Sequence, residues 1–490
     1  MILIKHIPVL QVLIPLFAAL FSALTFNKLA SWLIAVIATT LSVLVAFVAL
    51  YNFTEPIFYA FGNWQAPIGI EYRLDLLNQP IILYVNAVLL FFLIFGKQLI
   101  NKTITKYIDS RKHHMFYSLL LFAHAGYVGV LSTNDLFNIY VFIEISSLAT
   151  YVLISKGKNP RALVGAFDYL MLGTIGATLI LISVGFFFSV TGSLNIEDIS
   201  AILEKTDLSD QPNSQLRIVV VAIAFFLSGA ILKMAFFPLH FWMMRAYQGC
   251  APFILTYLSA ISSILGVYMI MRFVHFVIDE ELAHIPISFL LKTIALVTII
   301  LCSYFALKAK NLKTIIIYST SAQIGYIFLI LSLWSSKALL FQLLILDSIN
   351  KIGLFTLIAH IEHKSLDLNI TSMKQIRNSN WFKVAAGFII VFSAGLPLNG
   401  MFITKIALFD LLIKQGLIAE FVVVLLASVL GILYHLKFAK AIFFGKEENG
   451  ILEINTNLAG LFAIITIHVL TLVYFSEITR IIGYYIGYRI

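Results

Sequence analysis

The chain has 490 residues, of which 61% are hydrophobic and 12% are charged, and its net charge is +9. A typical soluble domain has about 25% charged residues, so a soluble core cannot absorb this much apolar surface. The sequence therefore predicts a multi-pass membrane protein. The basic excess does not indicate a nucleic-acid partner, because it lies in short loops between apolar segments. The two cysteines, Cys250 and Cys302, have no metal-ligand spacing and predict no disulfide framework.

Apolar segments follow one another along the whole chain. Because a membrane helix needs about 20 apolar residues, we expect an all-α polytopic fold with fourteen spans. They cover approximately residues 7–26, 29–52, 80–96, 114–132, 135–155, 162–190, 216–240, 251–277, 287–307, 313–334, 338–360, 384–413, 417–439 and 457–475. The first is expected to be a retained helix, because no small-x-small cleavage site follows it.

The charge of the predicted loops supports this count. With the N-terminus outside, the inside loops 97–114, 155–161, 307–313, 362–383 and 437–446 are rich in Lys and Arg. The outside loops 52–79, 191–215 and 279–286 carry most of the acidic residues. This alternation follows the positive-inside rule. Within the outside loops, 62–77 is predicted to form a small hairpin, and 194–215 contains a short acidic amphipathic segment.

Two of the apolar segments combine a helix break with a single lysine. In 218–242, Lys233 is followed by Pro238 and His240, and in 392–411 Pro397 precedes Lys405. A lysine inside an apolar span costs about 2.5–3.5 kcal/mol on insertion scales, so it is rarely without a role. A proline there frees a carbonyl that a cavity or a neighbour must satisfy. Two interrupted segments in corresponding positions of two halves predict a transporter built from repeats.

Two of the carboxylates inside predicted spans are the stronger candidates. Glu144 is in mid-span, and its expected partner is Lys233, because a bare carboxylate in a membrane protonates or finds a cation. This pair either serves proton movement or is a static ion pair that fixes helix packing. Asp347 and Lys351 are spaced i, i+4, which places them on one helix face. They form either a relay station or an inert intrahelical bridge.

On the twelfth span we favour Lys405 over Asp410 and Lys414, which are expected to reach the membrane surface by snorkelling. Three further ionisable residues are weaker candidates. A lone histidine in a membrane helix is more often a packed, hydrogen-bonded residue than a functional one, and an acidic residue on such a helix can face a neighbouring subunit as easily as a channel. These weaker candidates are His240, His124 and Asp168.

A chain of titratable groups across the membrane interior is what proton relay requires. A relay lysine must release its proton, and a charged carboxylate beside it opposes that release, so protonating or moving the carboxylate acts as a switch. No Gly-rich nucleotide loop, Walker motif, CxxC or HExxH occurs in the sequence. We therefore expect no cofactor, no metal site and no enzymatic catalytic residue in this chain.

Several motifs occur together and in a characteristic order. They are GNWQAPIGIEYRLDLLN, NDLFNIYVFIEISSLATYVLIS, TGSLN, ILKMAFFPLHFW, APFILTYLSAISSILGVYMIMR, LKTIIIYSTSAQIGYIFL, INKIGLFTL, AGLPLNGMFITKIALF and YHLKFAKAIFFG. With them the chain resembles the antiporter-like subunits shared by Mrp-type cation/proton antiporters and respiratory complex I, and within that group it looks closest to the D-type Mrp branch.

The resemblance implies fourteen core helices with two inverted five-helix repeats, each containing a broken helix. The repeats would cover 114–277 and 287–439, between an N-terminal unit 1–113 and a C-terminal helix and tail at 440–490. It also implies an acidic residue on the fifth helix paired with a lysine on the seventh, Glu144 with Lys233. The lysines of the eleventh and twelfth helices would be Lys351 and Lys405. Apart from the resemblance, we expect Asp347 and His240 to be further relay residues.

The chain departs from the family pattern at four places. A lysine often present on the eighth helix is replaced by Ile264, and the histidine expected four residues before Lys351 is Asp347. The basic residue common before Tyr169 is Asp168, and a frequent Pro-Asp pair is Met244–Arg245. Either water or Asp347 bridges the missing station, or the subunit conducts poorly and serves mainly as structure.

The expected function is proton translocation in a multisubunit Na⁺/K⁺:proton antiporter of a bacterial inner membrane, together with partner subunits. One alternative is a proton-pumping subunit of an NADH:quinone oxidoreductase-like complex. Another is a degenerate, non-transporting assembly subunit.

Overall fold

The computed structural model describes residues 5–52, 55–157, 160–205, 213–277, 287–333, 337–364, 368–377, 380–397, 399–444, 446–453, 458–477 and 480. Most of the predicted C-terminal tail at 475–490, including residues 481–490, lies outside this range. The first half contains helices α1 (Ile7–Leu24) and α2 (Lys28–Tyr51), strands β1 (Ile57–Ala60) and β2 (Glu71–Leu74), and helices α3 (Gln79–Phe95), α4 (Lys97–Tyr107), α5 (His113–Ser132), α6 (Leu136–Ser155), α7 (Pro160–Thr191), α8 (Ile196–Lys205), α9 (Asn213–Lys233), α10 (Phe241–Gly249) and α11 (Pro252–Val277).

The second half contains seven further helices and a second strand pair within the described residues. It contains α12 (Ile287–Lys308), α13 (Leu312–Ser332), α14 (Lys337–Lys364), β3 (Lys374–Arg377), α15 (Asn380–Ala394), α16 (Gly400–Lys414), α17 (Ile418–Phe443), β4 (Lys446–Glu453) and α18 (Ala459–Val473). Strands β3 and β4 pair in parallel.

The expected count of fourteen spans is not confirmed. Eleven helices of the described part are long and apolar enough to cross a membrane, or twelve if the bent pair α3 and α4 counts as one span. The other two predicted spans are too short as single helices. The span 384–413 is split into α15 and α16, and 457–475 contains only the 15-residue α18. The all-α polytopic fold itself is confirmed.

Helix α4 turns by 74° from the axis of α3 at Gly96. Its buried residues Leu99, Ile100 and Ile104 face the protein. Lys97, Lys102 and Lys106 of the same helix are not among the buried residues, so α4 combines a buried apolar side with basic side chains. Such a basic amphipathic helix is of the kind that lies along a membrane surface. It belongs to the predicted inside loop 97–114.

Each half of the chain contains one pair of backbone hydrogen bonds, here called a tie, and the positions of the two ties are those expected of an inverted repeat. In each, the residues at the start of a pair of consecutive helices and the residues just after that pair exchange two hydrogen bonds. They are Leu136 N to Leu194 O at 2.9 Å, Ile196 N to Asn134 O at 2.9 Å, Leu312 N to Leu368 O at 3.0 Å and Ile370 N to Lys310 O at 2.9 Å. Five crossings lie between them, namely α6, α7, the broken α9–α10, α11 and α12. An odd number places the ties on opposite membrane faces, as an inverted repeat requires.

The predicted hairpin exists but is displaced along the chain. Its strands β1 and β2 are antiparallel, with Ile57 opposite Leu74 and Ala60 opposite Glu71. The segment 62–77 therefore supplies only the second strand, and much of it forms the connection. Turn residues such as Gly62, which has a φ of 62°, lie in that connection.

A buried cluster of charges fastens this hairpin to the bundle on the predicted outside face. Arg272 of α11, whose side chain is 1% exposed, lies with its Nη1 2.5 Å from Asp75 Oδ2. Its Nη2 donates to Asn134 Oδ1 at 3.2 Å. Arg73 also pairs with Asp75, at 3.1 Å, and with Glu197 of α8. This outer clamp thus joins the hairpin, the α5–α6 loop, α8 and α11.

The electrostatics of the outer clamp favour a charged Asp75. Burial raises the pKa of this carboxyl, but the guanidinium groups of Arg272 and Arg73 outweigh that effect and hold its pKa below the ordinary value. Because the folded-state pKa is depressed, the stabilisation is present above the unfolded-state pKa of about 3.9 and is lost only as the pH falls through the folded-state pKa.

We expect Arg272→Met to destabilise the protein by about 3–5 kcal/mol, because it leaves a buried carboxylate without its main cation. Asp75→Asn should cost a similar amount, because it leaves Arg272 and Arg73 without the carboxylate that pairs with both, although the amide oxygen can still accept from the backbone N–H groups of Leu77 and Asn78. Thermal unfolding of the purified protein in lipid nanodiscs measures both.

The matched control is Lys414→Met. The Lys414–Asp410 pair is as short, at 2.7 Å, but its side chains are 71% and 57% exposed. We expect a cost of at most about 1 kcal/mol there. Equal effects of Arg272→Met and Lys414→Met would contradict a stabilising clamp.

Candidate functional site

The first helix break lies directly after Lys233. Helix α9 ends at this residue, Ala235 has a φ of 55°, and α10 resumes at Phe241. The Trp242 indole N–H donates to the Leu232 carbonyl at 2.9 Å and holds the two halves together. Lys233 is therefore placed at a helix C-terminus, whose free carbonyls carry partial negative charge.

Lys233 has two polar partners on α6. Its Nζ donates to Ser147 Oγ at 2.8 Å and lies 3.8 Å from Glu144 Oε1. The side chains of the lysine and the glutamate are 13% and 22% exposed. The carboxylate contact is thus looser than the serine contact, and Glu144 Oε1 makes no hydrogen bond with the described residues. The expected Glu144–Lys233 pair is therefore present, and Ser147 is a further partner of the lysine.

Lys351 has the same two kinds of partner. Its Nζ lies 2.5 Å from Asp347 Oδ2, one helical turn earlier on α14, and donates to Ser263 Oγ of α11 at 2.9 Å. The two charged side chains are 3% and 2% exposed. Ser263 immediately precedes Ile264, the position at which the family lysine is missing, so α11 still contributes a polar group here.

The two serines were not predicted. A hydroxyl accepts a hydrogen bond from an ammonium group and donates one to a neutral amine. The contact can therefore persist whether the lysine is charged or neutral. Ser147 follows Glu144 by three residues, a spacing that places both on one helix face, and this spacing was the available signal. Nothing comparable marks Ser263 in the sequence.

Lys405 is held differently. Its Nζ lies 3.5 Å from the carbonyl oxygen of Ala394, the last residue of α15, and 5.5 Å from the centre of the Tyr326 ring. No carboxylate of the described residues forms an ion pair with it. A half-helix C-terminus and an aromatic face are both favourable surroundings for a cation.

Two residues of the second break build this pocket. Asn399 donates to the carbonyls of Val391 and Phe392 and accepts from Phe402 N at 2.8 Å, so it bridges α15 and α16. Gly395 has a φ of 68°, and a Cβ there would lie 2.9 Å from Lys405 Nζ. The backbone conformation therefore favours glycine here, and a side chain would also displace the end of the lysine.

The Lys233 and Lys351 units are linked through α11, which packs against α6, α9 and α14, and α14 packs in turn against α15 and α16, which hold Lys405. Several buried side-chain atoms on α13 and α14 have no hydrogen-bond partner among the described residues; these are Gln323 Oε1, Ser348 Oγ and both amide atoms of Asn350. Buried polar groups are normally satisfied, and ordered water is the usual remaining partner. This pattern is what a hydrated mid-membrane axis requires.

The predicted histidines lie in different surroundings. His240 is buried beside the rings of Phe241 and Tyr318, and its Nδ1 has no partner among the described residues. His124 contacts the Tyr257 hydroxyl through Nδ1 at 2.8 Å and Asn86 Oδ1 through Nε2 at 2.7 Å. His124 is thus a packed and fully hydrogen-bonded residue.

The part of the chain that the structure describes contains no group of three or more His, Cys, Asp or Glu side chains able to hold a metal ion.

Two of the family departures contact each other. Arg245 Nη1 donates to Asp168 Oδ2 at 3.0 Å, between α10 and α7. The arginine side chain is 71% exposed and the aspartate 24%. The family pattern has a basic residue at position 168 and an acidic residue at position 245. This chain has Asp168 and Arg245, so the two charges are exchanged and the pair is kept.

We therefore expect Asp168→Arg and Arg245→Asp each to lower the melting temperature, because each places like charges about 3 Å apart. The double exchange should recover it. A double-mutant cycle on thermal unfolding should give a coupling of up to about 1 kcal/mol, the range of exposed pairs. Additive single effects would contradict a direct interaction.

Comparison with known proteins identifies the family. Residues 133–431 match the family described as NADH:quinone oxidoreductase/Mrp antiporter, TM. An NADH-quinone oxidoreductase subunit N from Desulforudis audaxviator is 35% identical over 340 residues, 68% of this chain and 65% of that protein. A putative antiporter subunit mnhD2 from Staphylococcus saprophyticus is 26% identical over 426 residues, 84% of this chain and 79% of that protein.

The fold agrees with a solved assembly. A chain in the structure of the Mrp complex from Dietzia sp. DQ12-45-1b superposes with a TM-score of 0.86 at 19% identity, covering 99% of this chain and 97% of that one. The family match spans more than half of the sequence and contains the Glu144, Lys233, Lys351 and Lys405 positions. This chain belongs to the transmembrane NADH:quinone oxidoreductase/Mrp antiporter family.

Proposed function

We propose that this chain is the proton-translocating subunit of a multisubunit monovalent cation:proton antiporter in a bacterial inner membrane. Protons would pass along mid-membrane through Lys233, Lys351 and Lys405. Glu144 would tune Lys233, and Asp347 would tune Lys351. Other subunits of the complex, protons and Na⁺ or K⁺ are the partners that this role implies.

The observation that carries the proposal is the repeated lysine unit. Two buried lysines each contact a carboxylate and a serine, and the third lies at a half-helix end. A purely structural ion pair needs a carboxylate close enough to neutralise it, as buried pairs otherwise lose more in desolvation than they gain. The 3.8 Å Glu144 contact does not fit that description well, and neither does Lys405, which has no carboxylate partner among the described residues.

A second candidate is a proton-pumping membrane subunit of an NADH:quinone oxidoreductase-like complex. It is favoured by the 35% identity to a protein described as NADH-quinone oxidoreductase subunit N. The same lysines would carry protons in that case, but proton movement would depend on electron transfer and not on added Na⁺ or K⁺.

The deciding experiment uses everted vesicles of an antiporter-deficient host that carries the native gene cluster. We expect added Na⁺ or K⁺ to drive proton efflux from the acidified vesicles, recorded with a fluorescent pH probe. Lys233→Ala should slow this by about tenfold or more, corresponding to at least about 1.4 kcal/mol on the barrier. Glu144→Gln, which removes only the charge, should slow it less.

Lys414→Ala is the matched control, because it removes an exposed lysine from the helix that carries Lys405. It should transport normally. Native gels must show that each variant complex is assembled. Cation-driven recovery that survives Lys233→Ala would move the proton route to another subunit. NADH-driven acidification of the vesicles that Lys233→Ala abolishes, without any cation-driven recovery, would favour the second candidate.

A further inference from the structure

Tyr151 of α6 is a buried residue whose hydroxyl group has no role in the proton path proposed above. The residue is 5% exposed, and its hydroxyl oxygen forms no hydrogen bond of ordinary geometry with the described residues. Buried polar groups in native folds are nearly always hydrogen-bonded, so an exception needs an explanation. The surroundings of this hydroxyl group supply one.

Tyr151 shares a helix face with the partners of Lys233. Glu144, Ser147 and Tyr151 lie at positions i, i+3 and i+7 of α6, which places them one above another on that face. Ser147 is the middle residue of the three, and its Oγ accepts from Lys233 Nζ at 2.8 Å. The phenol lies close to Ser147, on the side of the serine away from the carboxylate.

Helix α7 borders the phenol and the lysine with two glycines of one face. Gly173 and Gly176 are three residues apart, so their faces coincide. A Cβ at Gly173 would lie 2.2 Å from the Tyr151 hydroxyl oxygen, and a Cβ at Gly176 would lie 3.2 Å from Lys233 Cγ. The hydroxyl group and the stem of the lysine therefore lie next to each other against the same bare surface of α7.

The ring of Tyr151 is held by aromatic contacts. It meets the Tyr169 ring edge-on, with centroids 4.6 Å apart, and Tyr169 stacks flat on Trp242 at 4.3 Å. Trp242 in turn holds the carbonyl of Leu232, the residue before Lys233. The phenol oxygen is thus fixed in position relative to the first helix break, although no hydrogen bond of its own holds it.

Lys233 needs different hydrogen bonds in its two protonation states. In the structure its Nζ donates to the Ser147 oxygen, as an ammonium group does. A neutral amine offers a lone pair, so the serine can turn its own O–H toward the lysine nitrogen. The serine oxygen then lacks the hydrogen bond that it accepted from the ammonium group. The Tyr151 phenol has an O–H to donate and lies close enough to replace it.

We propose that Tyr151 is a positioning residue for the neutral form of Lys233: when the lysine has released its proton, the phenol donates to Ser147 and holds the serine O–H toward the amine. The use of this step in proton translocation rests on the proposed function. The effect of the phenol on the protonation of Lys233 does not, so the two can fail separately.

The other charged groups near this unit have partners of their own. Among the described residues, Glu144 is the charged group that interacts with Lys233, and Glu144 and Tyr127 are the titratable groups that interact with Tyr151. Asp168 pairs with Arg245. Further titratable groups on the helices packed against α6 are His124, Tyr169, Tyr247 and Arg272. Of these, His124 is fully hydrogen-bonded and Arg272 belongs to the outer clamp.

The protonation of Lys233 is measured without transport. The assembled complex in nanodiscs is treated with formaldehyde and a reducing agent over a series of pH values, because only a neutral amine reacts. Methylation of Lys233 is quantified by peptide mass spectrometry and normalised to the exposed Lys414. We expect Tyr151→Phe to move the pH of half-maximal labelling upward by about 0.5–1 unit, which corresponds to the loss of one hydrogen bond that favours the neutral amine.

Tyr127→Phe is the matched control. Tyr127 is a buried tyrosine of the adjoining helix α5, and its hydroxyl group already has a partner, Thr150 Oγ1 at 3.2 Å. The pH of half-maximal labelling should stay that of the original protein. An unchanged value in Tyr151→Phe, or the same upward shift in both variants, would overturn the proposal.

Gly173→Ala tests the same contact from α7. Its new methyl group would occupy the place of the phenol oxygen, so we expect an upward shift of the labelling profile similar to that of Tyr151→Phe. When Tyr151→Phe has removed that oxygen, the nearest remaining atom is a ring carbon at 3.1 Å, and Gly173→Ala should add little. Equal shifts by Gly173→Ala in both backgrounds would contradict a role for the hydroxyl group.

Cation-driven proton movement in the same variants connects this effect to transport. We expect the acidic limb of the rate profile to move to higher pH in Tyr151→Phe by the amount seen in labelling, and to stay in place in Tyr127→Phe. Native gels must show that each complex is assembled. A labelling shift in a complex whose unaltered form moves no protons would leave the role of Tyr151 intact and contradict the proposed function.

Discussion

The desolvation of lysine at mid-membrane is the constraint on which this structure depends. Each buried ammonium group needs compensating negative charge or oriented dipoles. The two helix breaks supply part of it, because they end α9 at Lys233 and expose the last carbonyl of α15 to Lys405. Where no break is present, Asp347 supplies the charge. Half-helix C-termini are a general way of holding cations inside membrane transporters, and here the cations are the protein's own side chains.

The two ends of the bundle are built on different principles. On the predicted outside face, Arg272, Asp75, Arg73 and Glu197 form a tight charged cluster that joins four elements. On the predicted inside face, bent helix α4 covers two small cavities lined by both apolar and polar side chains. One end is therefore closed by direct ion pairs, and the other leaves small internal spaces.

Sequence reasoning located the charged residues better than their neighbours. The breaks, the Glu144–Lys233 pair and the Asp347–Lys351 spacing follow from proline, glycine and charge in apolar segments, because such residues are costly and therefore conspicuous. Ser147 and Ser263 were missed, because hydroxyls are common in membrane helices and their partners depend on helix rotation. Asp168 and Arg245 lie 77 positions apart and could be seen only as separate departures until the fold joined them. The span count is not confirmed where short or broken helices replace full crossings, because hydropathy does not detect a break inside an apolar segment.

The ties that begin α6 and α13 have a consequence for divergence between the two halves. Both ties are made by backbone N–H and carbonyl groups, so they constrain where the chain passes and not which side chains it carries. The halves are thus free to change their residues independently while keeping one frame. This freedom is visible at the break lysines: the first half pairs its lysine with a carboxylate, and the second leaves its own with a carbonyl and an aromatic ring. The matching ties are made by the main chain, and the differences between the two breaks lie in the side chains.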